Sequence, residues 1–600
     1  MHLALLEHGP GLSAYLGEIL DAWGLASWSS VAPGALATLD PAEAPVLLVP
    51  AGAASGTGAA TPPEQVLAFA ARGGTALCIL PEGDLAAAAG IESAGAQAGP
   101  LRLRLAGPPL AGLAGESLPV VGRAASWTVR PAAEALGYLH VPGRDTGESV
   151  GLARMGVGRG QLVAAAFDLP RAVLLLRQGD PARREERGRP DGPARPTHLA
   201  CELGPDEPAW IPYADLLGRL LVDLVRRAWP APMPLLWHLP AGAPGLLLYS
   251  GDEDGAEVKW NRTELEAVAA AGGRMNLFLI PGSSRSTRAD AVAYCQRHDL
   301  GPHPNLRTLD GAPVAVRVAE LERQVRQFEE VFGVPARCTR HHCLAWAGYL
   351  DPVEGLARVG VRLESNYFCS TFLRRREYAP YAAFGAALPL RFGDPAGGLL
   401  PVHQQHTHTM DDVYFGPEQV AYSYRLSPAQ WEAILARVLD EAVRRFHVPH
   451  AVCIHPSNWV RFSRPQGLAL LRQARERGLP IWSFDQWLSF WEARQSWRVE
   501  AQSWDGHRLR VELAGARPVA GLHMALPQAW RELRLVEVRV DDQRVQPAGV
   551  RRFGEVVSLV EVGAQSRATV ECRYAPTDAA ARGAPGASEL ADPSAPTSAC

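Results

Sequence analysis

The sequence predicts a multidomain α/β protein. At roughly 150 residues per domain, 600 residues are more than one hydrophobic core can serve. Short apolar runs alternate with amphipathic helical segments from residue 1 to about 230 and again from 245 to 495, which is typical of parallel sheets covered by helices. After residue 496 the apolar pattern shortens to a period of two, which indicates a small antiparallel unit.

These patterns divide the chain into five segments. We predict a doubly wound α/β domain over residues 1–230, a stiff Pro-rich linker over 231–244 and a complete or incomplete (β/α) barrel over 245–495. A small β-sandwich over 496–575 and a disordered tail over 576–600, rich in Ala, Pro and Ser, complete the chain. In such folds, side chains at the C-terminal ends of the barrel strands perform the chemistry. We therefore expect the catalytic residues at the predicted strand ends of 245–495.

Composition excludes several classes of protein and partner. With 47% hydrophobic and 20% charged residues, the chain is neither wholly disordered, collagen-like nor a disulfide scaffold. A net charge of -4 gives no basic footprint, so we expect no nucleic-acid partner. The nine cysteines form no Cys-x-x-Cys pair, and the sequence shows neither a secretory leader nor an 18-residue apolar run. We therefore expect a cytoplasmic protein without a membrane partner, whose oligomeric state the sequence does not set.

Histidines and acids are concentrated in the third segment. Ten of the 17 histidines lie between His298 and His455, and an acidic run, Asp252 to Asp254, follows an apolar strand directly. Neighbouring carboxylates resist joint ionisation unless a cation is present. By itself such a turn is also typical of a solvated loop. However, His303, His342 and His455 also lie where strands are predicted to end, so a barrel would gather them at one mouth.

Over about residues 240–495 the sequence resembles the NodB-type polysaccharide deacetylases of carbohydrate esterase family 4. Ser250 to Gly255 is similar to the family's Thr-Phe-Asp-Asp-Gly motif with one extra acid, and Ile454-His455 is similar to its last histidine motif. The resemblance implies that Asp252 is the catalytic base, that Arg340 orients this base, and that His455 is the catalytic acid.

The same resemblance implies a divalent metal, Zn in the first instance, with Co, Mn or Fe as alternatives. Its ligands would be Asp254 and, from the motif similar to Arg297–Arg307, His303. The family's second ligand histidine would fall at Arg307, and His342 is available to fill that place. Glu253 is an alternative to Asp252 as the base or to Asp254 as the ligand. His341 is an alternative to its neighbour His342 as the ligand.

Two further sets of residues are candidates. The His-x-His spacing of the run containing His403, His406 and His408 places two rings on one face of a strand, which favours a second metal site or a substrate wall, with an exposed loop as the alternative. Aromatic side chains near the motifs are predicted to stack on sugar rings, with packing as their alternative role; they are Trp346, Tyr367 and Trp459.

The first segment contains a turn, Arg72-Gly73-Gly74, before a predicted strand and the run Pro81-Glu-Gly-Asp84 after it. With these features it resembles the class I glutamine amidotransferases over about 80 residues. An active member needs a cysteine in a sharp strand-to-helix turn, whereas Cys78 lies inside an apolar strand. We therefore expect a non-catalytic domain.

Taken together, these features predict a metal-dependent hydrolase that removes an acetyl or other acyl group from an N-acylated sugar or glycan. A divalent ion held by one carboxylate and two imidazoles lowers the pKa of its water toward about 7 and polarises a carbonyl. Two alternatives stay open. The missing histidine at Arg307 would fit a carbohydrate-binding protein with a degraded site, and the same chemistry would serve an amidohydrolase of a non-sugar substrate.

Overall fold

The computed structural model describes residues 1–8, 12–54, 61–97, 100–106, 113, 115–143, 148–187, 192–201, 211–369 and 384–576. The predicted disordered tail lies outside the described residues apart from its first position. Within these ranges, none of the helices combines the length and the apolar character needed to cross a bilayer.

The N-terminal part alternates strands and helices at its start and contains mostly strands later. Its strands are β1 (Leu3–Leu6), β2 (Trp28–Val31), β3 (Val46–Val49), β4 (Thr75–Ile79), β5 (Ile91–Gln97), β6 (Leu101–Leu105), β7 (Ser117–Val120), β8 (Ala124–Val129), β9 (Glu134–His140), β10 (Ser149–Val157) and β11 (Gly160–Ala165). Its helices are α1 (Ser13–Ala22), α2 (Pro63–Ala71), α3 (Gly83–Ala88), α4 (Leu169–Gln178) and α5 (Tyr213–Ala228).

The N-terminal sheet is mixed rather than wholly parallel. Among the described residues it has nine strands in the order β2-β1-β3-β4-β11-β10-β9-β6-β7. The first five strands of this order, β2, β1, β3, β4 and β11, pair in parallel. From β11 onward, each pair (β11–β10, β10–β9, β9–β6 and β6–β7) is antiparallel. The doubly wound prediction is therefore wrong for the second half, because a two-residue turn at Gly158, too short for a crossover helix, joins β10 to β11. The amidotransferase resemblance stays a prediction, with Cys78 buried on β4.

The central part begins inside the predicted linker. Its strands are β12 (Leu235–Leu236), β13 (Leu246–Asp252), β14 (Asn276–Leu279), β15 (Asp299–Pro302), β16 (Cys338–Thr339), β17 (Leu363–Glu364), β18 (Leu390–Gly393), β19 (Leu399–Gln404), β20 (Thr409–Met410), β21 (Pro449–Cys453) and β22 (Ile481–Trp482). Its helices are α6 (Val258–Ala270), α7 (Arg288–Cys295), α8 (Val314–Phe332), α9 (Asp351–Arg358), α10 (Asp411–Phe415), α11 (Pro428–Glu441), α12 (Pro456–Asn458), α13 (Arg464–Glu476) and α14 (Phe484–Gln495).

Among the described residues, the central strands other than β12 form two sheets in which parallel pairing dominates. The first has the order β15-β14-β13-β21-β20, with β22 also paired to β13, and the second has the order β16-β17-β19-β18. Strand β18 runs antiparallel to β19, and the other pairs are parallel. The chain is thus a mixed α/β protein, and closure of these sheets into a barrel stays a prediction.

The C-terminal part consists of two antiparallel sheets. Its strands are β23 (Arg498–Trp504), β24 (Arg508–Ala514), β25 (His523–Pro527), β26 (Ala529–Trp530), β27 (Leu533–Val540), β28 (Gln543–Val545), β29 (Ala548–Arg552), β30 (Glu555–Glu561) and β31 (Arg567–Pro576). One sheet has the order β12-β25-β30-β29, and the other has the order β23-β24-β31-β27-β26, with β28 on β27. The predicted sandwich arrangement of these sheets stays a prediction.

The predicted linker is part of the core instead of a free spacer. Strand β12 pairs with β25 of the C-terminal sheet, and Trp237 is 1% exposed. Arg494 of α14, also buried, donates hydrogen bonds to the carbonyls of Leu236 and Trp237 and of Asp21 in α1. The prolines of this run are interleaved with large apolar side chains, and burying those side chains stabilises the folded chain more than leaving them in water.

Candidate functional site

Parallel strands deliver the candidate side chains to one edge. Asp252 is the last residue of β13, His303 follows β15, and Arg340 follows β16. Asp411 follows β20 directly, and His455 comes two residues after β21. Parallel neighbours of the first central sheet end at the same edge, so Asp252, His303, Asp411 and His455 meet there. Arg340 follows a strand of the second central sheet and reaches this edge through its contact with Asp252.

Asp252 and Arg340 form a buried ion pair. Nη1 of Arg340 lies 2.9 Å from Oδ1 of Asp252, and Arg340 is fully buried. The same guanidinium donates to the hydroxyls of Ser250, Ser365 and Thr407, so its orientation is fixed from several sides. Burial by itself raises the pKa of Asp252, but the charges of Arg340 and then His303 outweigh it and hold this pKa below its usual value. Asp252 is therefore an ionised carboxylate at neutral pH.

Asp254 meets two imidazole rings. Its Oδ1 lies 3.1 Å from Nε2 of His303 and 2.8 Å from Nδ1 of His342, and the two rings stand edge to face. Asp254, His303 and His342 each offer one potential ligand atom, and these three atoms lie within 4.8 Å of one another, close enough to hold one metal ion. Burial lowers the pKa of His342, but the hydrogen bond with Asp254 more than reverses this and raises the pKa to about 10.

A backbone carbonyl fixes the orientation of the His303 ring. Nδ1 lies 2.7 Å from the carbonyl oxygen of Arg340 and must donate to it, since a carbonyl only accepts. Nε2 is buried without a hydrogen-bond partner and faces the carboxylate of Asp254. Two acceptors can face each other at this distance only if a proton or a metal ion lies between them. A carbonyl that fixes the far nitrogen is also typical of metal-binding histidines.

His455 is paired with Asp411. Its Nδ1 lies 2.6 Å from Oδ1 of Asp411, which is fully buried, and its Nε2 lies 3.7 Å from Oδ2 of Asp254. Burial opposes the charged ring, but Asp411 prevails, first through its charge and then through this hydrogen bond, and the pKa of His455 is raised well above its usual value. The ring is thus a charged imidazolium that presents its Nε2 proton to the site.

Two further groups of potential ligands share His455, one with Asp252 and Cys453 and one with Asp411 and Asp412. In both groups the ring or a carboxylate is already engaged, in the Arg340 pair or the Asp411 pair. The group of Asp254, His303 and His342 consists of the three residues that the strand-end motifs predict as ligands, and we take it as the candidate metal centre.

The rival residues Glu253 and His341 have other partners. Glu253 accepts hydrogen bonds from the Ser284 hydroxyl and the Gly255 amide. His341 is buried with Nδ1 bonded to the Ala345 carbonyl, and burial lowers its pKa to about 4. Neither belongs to a potential metal group among the described residues.

The predicted second metal site is not formed. His403 bonds the Arg362 carbonyl and the Gln495 amide oxygen, His406 bonds the Arg177 carbonyl, and His408 bonds the Ala386 carbonyl and the Ala451 amide. All three rings are at most 2% exposed, so the exposed-loop alternative is also wrong. Each ring bonds at least one backbone group, and none of the three belongs to a group of potential metal ligands among the described residues.

The predicted sugar-stacking residues are packing residues. Trp346, Tyr367 and Trp459 are each no more than 1% exposed, so a sugar ring cannot reach their faces. Trp346 stacks on His341 and meets Tyr367 edge to face. The stacking of Trp346 packs the loop that carries His341 and His342 against the core.

Sequence reasoning missed the role of Asp411. The signal was present, since two adjacent acids, Asp411 and Asp412, follow a short strand, but nothing local connects them with His455. Arg307, where a histidine ligand was expected, is 42% exposed in its side chain and pairs with Asp310 at 2.8 Å.

Comparisons with known proteins give similarity in structure alone. No protein-family model matches the chain, and no curated protein matches it significantly. The carbohydrate deacetylase Agd3 is 10% identical with a TM-score of 0.42, covering 95% of this chain and 98% of its own. A putative polysaccharide deacetylase from Mycobacterium smegmatis is 16% identical with a TM-score of 0.31, covering 44% of this chain and 96% of its own.

A mutant of a CE4 family pseudoenzyme with restored enzymatic activity is also similar. It is 14% identical with a TM-score of 0.26, covering 43% of this chain and 72% of its own. At such identities and TM-scores, we base the function proposed below on the geometry of the site.

Proposed function

We propose that the chain is a metal-dependent hydrolase that removes an acyl group from the nitrogen of an N-acylated sugar. The observation that carries this proposal is one cluster in which Asp254, His303 and His342 converge beside an ionised carboxylate, Asp252, and a charged imidazole, His455. Such a cluster combines a cation site, a base and an acid within a few ångströms.

The donor set fits a divalent cation. One carboxylate and two imidazoles leave open positions, and this set favours Zn, with Co, Mn or Fe as alternatives. The buried Nε2 of His303, which lies 3.1 Å from the Asp254 carboxylate while Nδ1 bonds a backbone carbonyl, is the observation that supports this fit. When bound, the cation would polarise the amide carbonyl and acidify a water molecule.

The remaining steps belong to the side chains. Asp252, kept ionised by Arg340, accepts the proton of the attacking water as its oxygen bonds to the acyl carbon. His455, oriented by Asp411, donates a proton to the amide nitrogen as the C–N bond breaks. The products are a carboxylate and the free amine of the sugar.

The substrate class comes from the resemblance of the strand-end motifs to NodB-type deacetylases. A sugar acetamide, an acetylated peptide and a cyclic amide all present the same carbonyl to this cluster, so the acyl partner must be determined by assay.

A metal and product assay tests the proposal. We expect about one equivalent of metal in the anaerobically purified protein and metal-dependent release of acetate from chitotetraose. Asp254→Asn should lose both, whereas Glu330→Gln, an exposed position on α8, should change neither. A metal content below a tenth of an equivalent together with an unchanged Asp254→Asn variant would contradict the proposal.

Two outcomes distinguish the alternatives. Binding of chitotetraose without release of acetate would indicate a carbohydrate-binding protein, which the exposed Arg307 in the expected ligand position favours. Faster turnover of acetylated peptides than of acetylated sugars would instead indicate an amidohydrolase of another substrate class.

A further inference from the structure

A small cavity lies where the N-terminal part, the Pro-rich run and the C-terminal part meet, and we call it the junction cavity. Its volume is about 20 Å³, and its lining includes Arg219 and Arg226 of α5, Trp237, Arg552 at the end of β29 and Glu555 at the start of β30. A cavity needs roughly 10–15 Å³ to hold one water molecule. The junction cavity is therefore large enough for one ion or water molecule and too small for a sugar.

The carboxylates at the junction cavity are already matched by two arginines. Oδ1 of Asp223 lies 2.7 Å from Nη2 of Arg219 and 3.2 Å from Nη1 of Arg226. Oε2 of Glu555 lies 2.9 Å from the same Nη1 of Arg226 and 3.9 Å from Nη2 of Arg219. Two negative charges thus neutralise two positive charges, and neither carboxylate is left for a third guanidinium.

Arg552 is this third guanidinium, and its charge is buried. The residue is 5% exposed, its Nη2 donates to Nδ1 of His238 at 3.3 Å, and its Nε is buried without a hydrogen-bond partner. Nε2 of His238 donates to the carbonyl of His447, so this ring is neutral and brings no negative charge. Within the described part of the chain, Arg552 forms no ion pair. Burial, and then the charge of Arg219, lower the pKa of Arg552 well below its usual value, and Asp223 reverses only part of this.

Neighbouring aromatic rings offset some of the charge on Arg552. Its guanidinium carbon lies 4.5 Å from the centre of the Trp23 ring and 4.8 Å from that of Trp237. Such ring faces attract a cation, but they accept hydrogen bonds more weakly than an oxygen atom or an anion does. The N–H groups of Arg552 therefore still need an acceptor.

A further arginine makes the surroundings of Arg552 more positive. Arg494 is buried and donates to backbone carbonyls, and its charge also acts on Arg552. The acid that acts on Arg494 is Asp21, which forms an ion pair with Arg498 at 2.9 Å. The positive charges around the junction cavity thus outnumber the negative ones, and a buried charge without full compensation is costly.

We propose that the junction cavity binds one small inorganic anion of the size of chloride, with Arg552 as its principal ligand. The anion supplies the negative charge that Asp223 and Glu555 do not provide. It accepts charge-assisted hydrogen bonds from the guanidinium, which are stronger than bonds between neutral groups. A phosphate ion or a glycan carboxylate is larger than the space in the cavity.

The anion site lies at the opposite end of the central strands from the candidate metal centre. His238, the partner of Arg552, bonds the carbonyl of His447, which precedes β21, whereas His455 follows β21. The cavity is bordered by α5, β12 and the C-terminal sheet, so the anion stabilises the junction of three parts of the chain. This role is independent of the proposed hydrolase activity.

The test measures unfolding of the full chain by urea while chloride replaces gluconate at constant ionic strength. Gluconate is too large for the junction cavity, and constant ionic strength keeps the screening of surface charges equal. A ligand that binds only the folded chain stabilises it by mass action. We therefore expect the equilibrium constant for unfolding to fall about tenfold when chloride is present at about ten times its dissociation constant. The linewidth of the chloride NMR signal, which broadens when chloride binds a protein, measures that dissociation constant.

Variants connect the effect with Arg552. Arg552→Met removes the guanidinium and keeps an apolar side chain beside Trp23 and Trp237, and we expect it to lose both the effect of chloride on unfolding and the excess linewidth. Arg551→Gln, at the exposed neighbouring position on β29, is the matched control and should keep both. Bromide should displace chloride and remove the excess linewidth in the unaltered protein, a result that does not require any variant to fold.

Two outcomes would overturn the anion site. Equal unfolding in chloride and in gluconate, with a linewidth that bromide does not change, would show that the aromatic neighbours and water compensate Arg552. An excess linewidth as large in Arg552→Met as in the unaltered protein would show that chloride binds elsewhere. Neither measurement uses acetate release, so the anion site and the proposed hydrolase are tested separately.

Discussion

His303 directs its Nε2 at Oδ1 of Asp254 from 3.1 Å while its Nδ1 faces the carbonyl oxygen of Arg340 at 2.7 Å. The carbonyl accepts a hydrogen bond from Nδ1, which leaves Nε2 to face the carboxylate of Asp254, and either a proton or a metal ion between these two atoms makes the contact favourable. Arg340 thus contributes twice, through its guanidinium to Asp252 and through its backbone to His303.

Removal of the His303 ring should abolish tight metal binding. We expect His303→Gln to weaken the affinity for Zn²⁺ at least about 100-fold, because one of three protein ligands is lost. Competition with a chelator of known affinity measures this. The matched control is His507→Gln, an exposed histidine of the C-terminal part. An unchanged Zn²⁺ affinity in His303→Gln would show that the ring is not a ligand.

Replacing Arg340, which pairs with the proposed base Asp252, should move the acidic limb of the pH profile of kcat/KM. In Arg340→Lys the carboxylate of Asp252 loses its closest guanidinium contact, so its pKa rises. The carboxylate therefore becomes protonated at a higher pH in the variant than in the unaltered protein. We expect the acidic limb of kcat/KM to move upward by about one pH unit and kcat to fall at neutral pH. A uniform loss of activity without this shift would indicate that Arg340 only supports the fold.

The alkaline limb should respond to Asp411. Asp411 keeps His455 charged, so in Asp411→Asn the pKa of His455 falls and the ring loses its proton at lower pH. We expect the alkaline limb to move downward and kcat at neutral pH to fall about 10- to 100-fold, a part of what general acid catalysis contributes. The full pH profile measures this, and a fall in kcat at all pH values alike would contradict the assignment of His455 as acid.

Glu364 should make stability depend on pH. This carboxyl is fully buried on β17, and burial raises its pKa to about 8, more than the Asn366 amide and Arg340 lower it. A raised pKa in the folded state means that the proton stabilises the fold. This contribution is complete below the unfolded value of about 4.3 and is lost as the pH rises through about 8.

The Glu364→Gln variant cannot ionise at this position. We expect the free energy of unfolding of this variant, relative to that of the unaltered protein, to increase steadily between pH 5 and pH 8, by about 1 to 3 kcal/mol in total. Denaturant unfolding at each pH measures this difference. Glu330→Gln, exposed on α8, serves as the control. If the stability of the unaltered protein and that of Glu364→Gln depend on pH in the same way, the Glu364 carboxyl does not stay protonated in the folded chain.

Local patterns were sufficient where a residue's role depends on its own strand or helix. The apolar period predicts a helix over Val314 to Phe332, and α8 has these bounds because a left-handed glycine, Gly333, ends it. The acids after β13 and the residue after β15 could be located because a strand end is a local feature.

The pairing of residues far apart in the chain could not be predicted from the sequence. Asp411 and His455 lie 44 residues apart, and their hydrogen bond exists because β20 and β21 pair in parallel. Likewise, no local signal separates a tryptophan that faces a sugar from one that faces the core, which is why Trp346 and Trp459 were misassigned.

The sequence by itself determined the alternation of strands and helices and the types of side chain at the strand ends, since both follow from residue order and short-range geometry. Tertiary structure alone decided that the second half of the N-terminal sheet is antiparallel, that the Pro-rich run is buried, and that His342 rather than His341 faces Asp254. These outcomes depend on burial and on contacts between residues far apart in the chain, where the free energy of packing outweighs local preference.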